Sequence, residues 1–263
     1  MRRLLCFFIA VVCATNAFAW GQKGHDVVAY IAECHLTPAT AQKVAQVLNG
    51  HSLVYYANWL DNASHTEEFA FTKTWHYANV DEGFTYDTMP KVESGDVVGA
   101  INLIVNQIKG GLLSPQDENI YLRMLIHLVG DMHCPMHAGR KSDRGGNNVN
   151  VIYFGRPANL HSIWDSSLVE SAHKWSYTEW QQQIDRLGAK DIAAIMSGSV
   201  KDWFNETHAV AEQIYAEIEE GTKISYDEVA KYAPIIELQF ERGGLRLAYL
   251  LEYLYSERAE KAE

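Results

Sequence analysis

The sequence predicts an all-α protein made of one helical domain with a single short β-hairpin. Apolar residues recur at helical spacing along most of the chain, whereas the alternation typical of a strand is confined to residues 148–154. No internal repeat, low-complexity tract or Pro/Ser-rich linker divides the sequence into separate units. A chain of 263 residues is long enough to bury one large core, so one domain is the simplest interpretation.

The first nineteen residues are predicted to be a cleaved secretory signal peptide. Arg2 and Arg3 precede an apolar run from Leu4 to Ala14, which is too short to span a bilayer as a helix. Ala17 to Ala19 then supplies the small-x-small pattern that signal peptidases recognise. Cleavage after Ala19 would leave a domain of residues 20–263 that begins at Trp20 and is exported, either to a periplasm or to the medium.

The N-terminal part of the domain carries the signals of three helices. One apolar stripe marks the first helix, through Val27, Val28, Ile31 and Ala32. Thr37-Pro38 opens the second helix, and Gly50 closes it. The third helix covers Val97 to Ile108 and stops at Gly110-Gly111.

The middle of the chain predicts one long helix and the hairpin. Ser114-Pro115 combines an N-cap with a first-turn proline, so a helix begins there and leads to His133. Asn148 to Phe154 alternates apolar with polar or smaller residues, which is typical of one hairpin arm.

The C-terminal part predicts two further helices. Ser199 and Ser225 are their N-caps, and Gly221 closes the first of them. Pro234 is expected to break the start of the second helix. The rest of that helix is marked by an apolar stripe at Leu245, Ala248, Tyr249, Leu251 and Leu254.

The composition argues against two classes of protein. The formal net charge is −11, and it becomes −13 once Arg2 and Arg3 leave with the signal peptide, so a basic groove for nucleic acid is not expected. Bound divalent metal could reverse that charge locally. The predicted domain keeps only Cys34 and Cys134, which is no disulfide framework; two buried thiols are the simpler expectation, and one bridge is the alternative.

The strongest chemical signal is the spacing of His127, Asp131 and His137. His127 and Asp131 are four residues apart on a well-capped helix, so both project from one face, as two ligands of one metal do. A pair of this kind taken alone is more often a buried hydrogen-bonded pair. Cys134-Pro135 breaks the helix after Asp131 and turns His137 back toward the same region.

A second pair repeats this spacing, and a third set lies upstream. His161 and Asp165 are again four residues apart, with apolar residues around them. The upstream set consists of His25 near Trp20, Asp61 and His76, each unremarkable alone. Five histidines and three aspartates without thiolate suit catalytic zinc. Eight side chains are too many for one ion and about right for three.

Taken together, these motifs resemble the zinc-dependent nucleases of the S1/P1 type, which are related to the bacterial zinc-dependent phospholipases C. The matching segments follow the family's order along nearly the whole domain. They are Trp20-Gly-x-x-Gly-His25, Asn58-Trp59-x-Asp61, Trp75-His76-Tyr77, His127-x-x-x-Asp131-x-His133-x-Pro135-x-His137, Asp143-x-Gly145-Gly146-Asn147, Asn159-Leu160-His161-Ser162-x-Trp164-Asp165 and Arg246-Leu247-Ala248. The chain looks like a bacterial-type member, and a phospholipase C/nuclease-like helical fold is implied.

The resemblance also implies a cofactor and a reaction. It implies three zinc ions per chain: one on Asp61, His76, His127 and Asp131; one on the α-amine and carbonyl of Trp20, His25 and the bridging Asp131; and one on His137, His161 and Asp165. The implied reaction is cleavage of the 3′ O–P bond of single-stranded DNA and RNA to give 5′-phosphates, and often removal of 3′-phosphates from nucleotides. Asp61 would pass on the proton of the nucleophilic water.

The resemblance places the substrate on Tyr77 and Asn79. An aromatic after His76 stacks a base in this family, although Tyr77 alone would fit an ordinary core aromatic equally well. Asn79 stands where fungal relatives tend to carry a base-reading aspartate, and Ser64 stands where many relatives carry a basic residue. A local basic cluster, Arg140, Lys141 and Arg144, either steers phosphates or is an ordinary solvated loop.

Two alternatives stay open from the sequence. One is a phospholipase C of the same superfamily, which would use the same metals on a lipid. The other is a zinc-binding protein without turnover. Clustered sites that share a ligand such as Asp131 suit zinc storage poorly and catalysis well, so this alternative ranks last. The nuclease interpretation implies nucleic acids and nucleotides as substrates, no stable protein partner, no membrane and a monomer.

Overall fold

The computed structural model describes residues 20–260, with side chains described as far as residue 256. The predicted signal peptide therefore lies outside the described residues. Within them, the chain is mostly helical with one small sheet, which confirms the predicted all-α class. None of the helices described is both long and apolar enough to cross a membrane.

The helices and strands follow one another in a simple order. The first helices are α1 (Gln22–Cys34), α2 (Pro38–Val47), α3 (Leu53–Tyr56), α4 (Trp59–Ala63), α5 (Val97–Gly110) and α6 (Pro115–Met132). There follow β1 (Asn150–Tyr153), β2 (Arg156–Asn159), α7 (Leu160–Ser162), α8 (Leu168–Ala172), α9 (Tyr177–Ile184), α10 (Ala189–Met196), α11 (Val200–Glu217), β3 (Lys223–Ile224) and α12 (Tyr226–Glu260). Two 3-10 turns, Ala70–Thr72 and Pro135–Ala138, and a π-helical turn, Ile163–Ser167, complete the chain.

Side-chain caps begin the helices where the sequence predicts them. The Thr37 hydroxyl accepts the Thr40 amide at 3.3 Å before α2, and the Ser114 hydroxyl accepts the Asp117 amide at 3.1 Å before α6. Gly111 ends α5 in the left-handed conformation, with φ of 68°. These local signals confirm the predicted starts of α2 and α6 and the predicted end of α5.

The predicted hairpin is present, and it gains a third strand. β1 pairs antiparallel with β2, from Asn150 opposite Asn159 to Tyr153 opposite Arg156. β3 adds to the other side of β1 in parallel, and two residues are too short to leave a periodic signal in the sequence.

The core forms where α12 and α6 pack against α1. Gly243 and Gly244 of α12 lie against Val28 and Ile31, and a Cβ on Gly244 would collide with the Ile31 side chain. These two glycines therefore let the backbones of α1 and α12 approach closely. The second half of α6, from Met124 to Met132, is buried throughout, so it carries its polar residues into the interior.

Three details of the prediction are wrong. Pro234 does not break α12, which runs through it, because Val229 and Tyr232 before the proline and Ile236 after it are all buried and outweigh one lost hydrogen bond. Gly221 does not close α11, which ends at Glu217; its amide instead binds the Asn150 carbonyl at 2.7 Å. Cys134 is buried and free as expected, but Cys34, also free, is exposed at the end of α1.

Candidate metal centre

Asp131 of α6 is the hub of a buried polar cluster. Its carboxylate oxygens lie 3.1 Å from Nε2 of His127, one helical turn earlier, and 3.3 Å from Nε2 of His25 on α1. They also lie 2.8 Å from Nδ1 of His76 and 3.6 Å from Nδ1 of His137. The turn at Pro135–Ala138 returns His137 to the helix end, as the sequence predicts.

Asp61 joins this cluster from α4. Its Oδ1 lies 3.4 Å from Nε2 of His127, and its side chain is 13% exposed. His25 and His127 stack with their ring centroids 4.0 Å apart. Potential ligand atoms lie within 4.8 Å of one another in two overlapping groups, His25 with His127 and Asp131, and Asp61 with His76 and His127. Two metal ions that share ligands fit this arrangement.

His161 and Asp165 form a second, adjacent cluster. The π-helical turn places Nε2 of His161 3.0 Å from Oδ2 of Asp165, and Oδ1 of Asp165 lies 3.7 Å from Nε2 of His137. The rings of His137 and His161 stack at 5.1 Å. The structure therefore brings together all eight side chains that the sequence predicts as ligands.

Backbone carbonyls orient three of these histidines in the same way. Nδ1 of His127 donates to the Ala57 carbonyl, Nδ1 of His137 to the His76 carbonyl, and Nδ1 of His161 to the Gly145 carbonyl, each at 2.7 Å. Each ring thereby has Nε2 facing the cluster, which is how metal-binding histidines are held.

Several buried polar atoms of the cluster have no hydrogen-bond partner among the described residues. They are both ring nitrogens of His25, Nε2 of His76, Nε2 of His137 and Oδ1 of Asp131. Buried polar atoms are nearly always paired in folded proteins, because an unpaired one costs the free energy of its lost hydration. Metal ions on these nitrogen and oxygen atoms would satisfy them, so the residues fit the predicted cofactor.

The protein alone already perturbs the protonation of these groups. Burial would raise the pKa of Asp131, but His127 and His137 hold it well below its usual range. Burial would lower the pKa of His127, but Asp131 and Asp61 raise it well above its usual range. Burial and the neighbouring His127 lower the pKa of His25. A metal ion must therefore displace a proton that Asp131 and Asp61 hold on His127.

Cys134 lies in the second cluster, although the sequence did not single it out as a ligand. Its Sγ, with His137 and Asp165, forms a third group of close ligand atoms. Burial, with Asp165 beside it, raises the pKa of the thiol well above its usual range. The protonated thiol donates to Oδ1 of Asp165 at 3.2 Å, so it orients that carboxylate.

His133 belongs to the motif but points away from the cluster. Its Nδ1 donates to the Val129 carbonyl at 2.7 Å, and its Nε2 accepts from Arg246 at 3.1 Å. Arg246 is itself buried and donates to Glu206 at 2.5 Å. This network anchors the end of α6 to α12 behind the ligands.

Trp20 lies next to both clusters. Its side chain is fully buried against Phe240, with ring centroids 4.8 Å apart. The following amide, that of Gly21, donates to the Asp165 carbonyl at 2.5 Å, and His25 is in the first turn of α1. That the Trp20 α-amine binds metal stays a prediction.

The ligands form the floor of a cleft of about 550 Å³. Asp61, His76, His137 and His161 line it together with Tyr77 and Asn79, the two predicted substrate-binding residues. Tyr77 is 37% exposed, so its ring is available to a substrate. Oδ1 of Asn79 is buried without a partner in the described part of the chain. The core-aromatic alternative for Tyr77 is therefore disfavoured.

Sequence reasoning missed the parts of the centre that carry no functional side chain. A Cβ on Gly130, inside α6, would lie 2.7 Å from Nδ1 of His25, so glycine there gives that ring its place. The carbonyls of Ala57 and Gly145 leave no side-chain signal at all. Only the position of Gly130, in the turn between His127 and Asp131, hints at its role.

Comparison with known proteins agrees with this geometry. The family described as S1/P1 Nuclease matches residues 20–256. The chain is 27% identical to Endonuclease 2 of Arabidopsis thaliana over 271 residues, 92% of each chain. It is 26% identical to Nuclease P1 of Penicillium citrinum over 274 residues, 92% of this chain and 100% of that protein. It is 32% identical to Nuclease S1 of Aspergillus oryzae over 184 residues, 65% of this chain and 62% of that protein.

Proposed function

The chain belongs to the S1/P1 nuclease family, and from that premise we propose that it hydrolyses phosphodiester bonds of single-stranded DNA and RNA. The products are 5′-phosphates, and removal of 3′-phosphates from nucleotides is a second activity of the same site. The observation that carries the proposal is the buried histidine and aspartate cluster at the floor of a cleft whose wall presents Tyr77.

Three zinc ions are the proposed cofactor, because the donors are imidazole nitrogen and carboxylate oxygen without thiolate. The first is held by Asp61, His76, His127 and Asp131. The second is held by Asp131, His25 and the α-amine and carbonyl of Trp20. The third is held by His137, His161 and Asp165. When bound, zinc supplies activation of water at neutral pH and stabilises charge on the phosphoryl group and on the leaving oxygen.

The side chains of this protein supply the remaining functions. Asp61 lines the cleft beside the cluster, so its carboxylate is placed to accept a proton from the attacking water. Tyr77 stacks an unpaired base, which accounts for the preference for single strands. Asn79 lines the same cleft and offers its side-chain amide to a base edge.

Export and a monomeric state belong to the same proposal. The basic, apolar and small-x-small segments of residues 1–19 support a cleaved signal peptide and release to a periplasm or the medium. Each of the proposed zinc ions takes all its protein ligands from this one chain, so a second copy is not needed to complete the centre.

The test uses mature protein that begins at Trp20 and is loaded with zinc. Single-stranded DNA, RNA and phosphatidylcholine are assayed side by side, and the end groups of the products are identified. We expect cleavage of both nucleic acids, with 5′-phosphate ends and no lipid hydrolysis. Phosphatidylcholine hydrolysis without nucleic-acid cleavage would show a phospholipase, and zinc binding without any turnover would show a zinc carrier.

A further inference from the structure

The mouth of the cleft carries three exposed cations. Lys73, Lys141 and Arg144 line the same cavity as the metal-binding side chains, although the chain as a whole has a net charge of −11. We call these three residues the basic rim. Lys141 and Arg144 belong to the loop that follows Arg140. Lys73 belongs to a different segment, the one that precedes His76.

Two members of the basic rim, Lys73 and Arg144, form no ion pair with a carboxylate among the residues that the structure describes. The third, Lys141, has Asp81 nearby: the Ser142 amide donates to Oδ1 of Asp81 at 2.7 Å, and this bond together with the charge of Lys141 lowers the pKa of Asp81. Many other cations form ion pairs, including Lys23 with Glu170, Arg140 with Glu212, Lys201 with Asp87, Lys231 with Glu217 and Arg246 with Glu206. Arg140 is held at both ends of its guanidinium, by bonds of 2.9 and 2.8 Å to Glu212, so it is no longer part of the predicted basic cluster.

Arg144 is held in place by its loop. Its φ is 61°, a left-handed conformation that is uncommon for a residue with a side chain. The backbone around it is fixed: the Gly145 amide donates to the Arg140 carbonyl at 2.7 Å, and the Asn147 side chain donates to the Arg144 carbonyl at 2.9 Å. The next carbonyl, that of Gly145, orients His161. The same loop therefore orients a cluster histidine and fixes the backbone from which a cleft cation projects.

Lys73 is also anchored close to a cluster histidine, in this case His76. It follows the 3-10 turn Ala70–Thr72 and lies three residues before His76. The indole of Trp75, between them, donates to the Ser94 carbonyl at 2.8 Å and so anchors the segment. Ser64, which also lines the cleft, is neutral, and the positive charge comes from Lys73 and the Arg144 loop instead.

We propose that the basic rim binds the phosphates that flank the scissile phosphate of a single-stranded polynucleotide. This inference rests on the proposed nuclease function, in which the metal ions take the scissile phosphate at the floor of the cleft. A strand with one base on Tyr77 carries its neighbouring phosphates past the mouth, where the cations of the rim attract them. The rim therefore makes the site selective for a polyanion over a single nucleotide.

The test changes the rim and the substrate together. The variant Lys73→Gln/Arg144→Gln is compared with the unmodified protein, both mature and zinc-loaded. One oligonucleotide has ordinary phosphates throughout, and the other has uncharged methylphosphonates on both sides of a single cleavable phosphate. Matched control substitutions are Lys190→Gln and Arg156→Gln, because these cations are exposed and have no contact with the cleft.

We expect KM for the ordinary oligonucleotide to rise about threefold for each exposed cation removed, with the effect on KM rather than on kcat. The slope of log KM against log salt concentration should fall by about 0.7 for each lost phosphate contact. The uncharged flanks should raise KM clearly less for the rim variant than for the unmodified protein and the controls, because the two changes remove the same contacts and the variant keeps only Lys141.

Two results would contradict the inference in distinguishable ways. If the unmodified protein cuts the ordinary oligonucleotide and the rim variant shows the same KM, salt slope and response to uncharged flanks as the controls, only the role of the rim is refuted. If the unmodified zinc-loaded protein cuts neither oligonucleotide, the proposed nuclease function is overturned, and the inference with it.

Discussion

The surroundings of Asp131 favour metal binding as the function of its carboxylate. It is fully buried, and its two oxygens face four histidines on four different segments of the chain. A buried charge is costly unless it is paired, so a carboxylate in this position needs cations on both oxygens. The proposed bridge between two metal ions would supply them.

Asp131→Asn should therefore be the most damaging single substitution. The amide keeps the shape but loses the charge and one acceptor, so the close metal pair should be lost. Zinc content by mass spectrometry should fall from about three per chain toward one, and activity should nearly vanish. Asp165→Asn is the matched comparison and should lose about one zinc. An active Asp131→Asn protein that keeps all its zinc would disprove the bridge.

Tyr77→Ala should weaken substrate binding and leave the metal centre intact. Loss of one base stack costs roughly 1–3 kcal/mol, so KM for oligonucleotides should rise while zinc content stays constant. Tyr226→Ala is a suitable control, because Tyr226 is 78% exposed and does not line the cleft. If the Tyr77 variant unfolds or loses zinc, the ring is structural and the stacking role is wrong.

The meeting of these histidines and aspartates was predictable from sequence because spacing carries the information. Histidine and aspartate four residues apart on one helix must share a face, and His127 with Asp131 shows this. The partners that orient those histidines were not predictable, because any residue offers a carbonyl like that of Ala57 or Gly145. Which residues meet across the fold depends on tertiary packing, which one sequence does not reveal.

At the scale of elements, α6 works as the rigid support of the centre. Its caps and its buried second half fix His127 and Asp131, and the turn that follows presents His137. The α1 helix must approach α6 closely to add His25, and Gly130 permits that approach. The helix α6, whose start is well defined by local signals, thus carries His127 and Asp131, the side chains that must be placed most accurately.

Gly130→Ala tests that approach. Alanine favours a helix over glycine by about 1 kcal/mol, but here its Cβ would overlap the His25 ring and displace it. We expect zinc affinity, measured by competition with a chromophoric chelator, to fall about 10- to 100-fold.

Gly99→Ala in α5 is the matched control for this substitution, because a Cβ there would meet only the Asp96 side chain at 3.6 Å. It should bind zinc normally and be as stable or more stable. Equal zinc affinity in the Gly130 and Gly99 variants would show that the close approach does not position His25.

The wrong predictions at this scale have a common cause. Glycine and proline signals describe local preference, and at Pro234 and Gly221 tertiary packing overrides that preference. The buried residues on both sides of Pro234 keep α12 continuous. The Gly221 amide binds the carbonyl of Asn150 at the start of β1, so Gly221 belongs to the turn before β3 instead of the end of α11. Helices with strong caps, such as α6, were predicted correctly because local and tertiary preferences agree there.

At the scale of the whole molecule, the N-terminal end of the described chain is held between α12 and the second cluster. Trp20 packs on Phe240 of α12, and the Gly21 amide binds the Asp165 carbonyl. The segment before α1 is therefore fixed against the second cluster. If the chain is cleaved after Ala19 as proposed, this placement puts the new first residue beside the candidate metal centre.

The final prediction concerns that first residue. A free α-amine has a pKa of about 7.7–8.0, so zinc can displace its proton at neutral pH, and with its own carbonyl it forms a five-membered chelate ring. An amide nitrogen in the middle of a chain offers no such ligand. Protein that begins Met-Trp should therefore bind about two zinc ions instead of three and should cleave oligonucleotides slowly. Removal of the extra methionine by an aminopeptidase should restore both properties. If the Met-Trp protein and the protein that begins at Trp20 have equal zinc content and equal rates, the N-terminal ligand is refuted, although the nuclease activity is not.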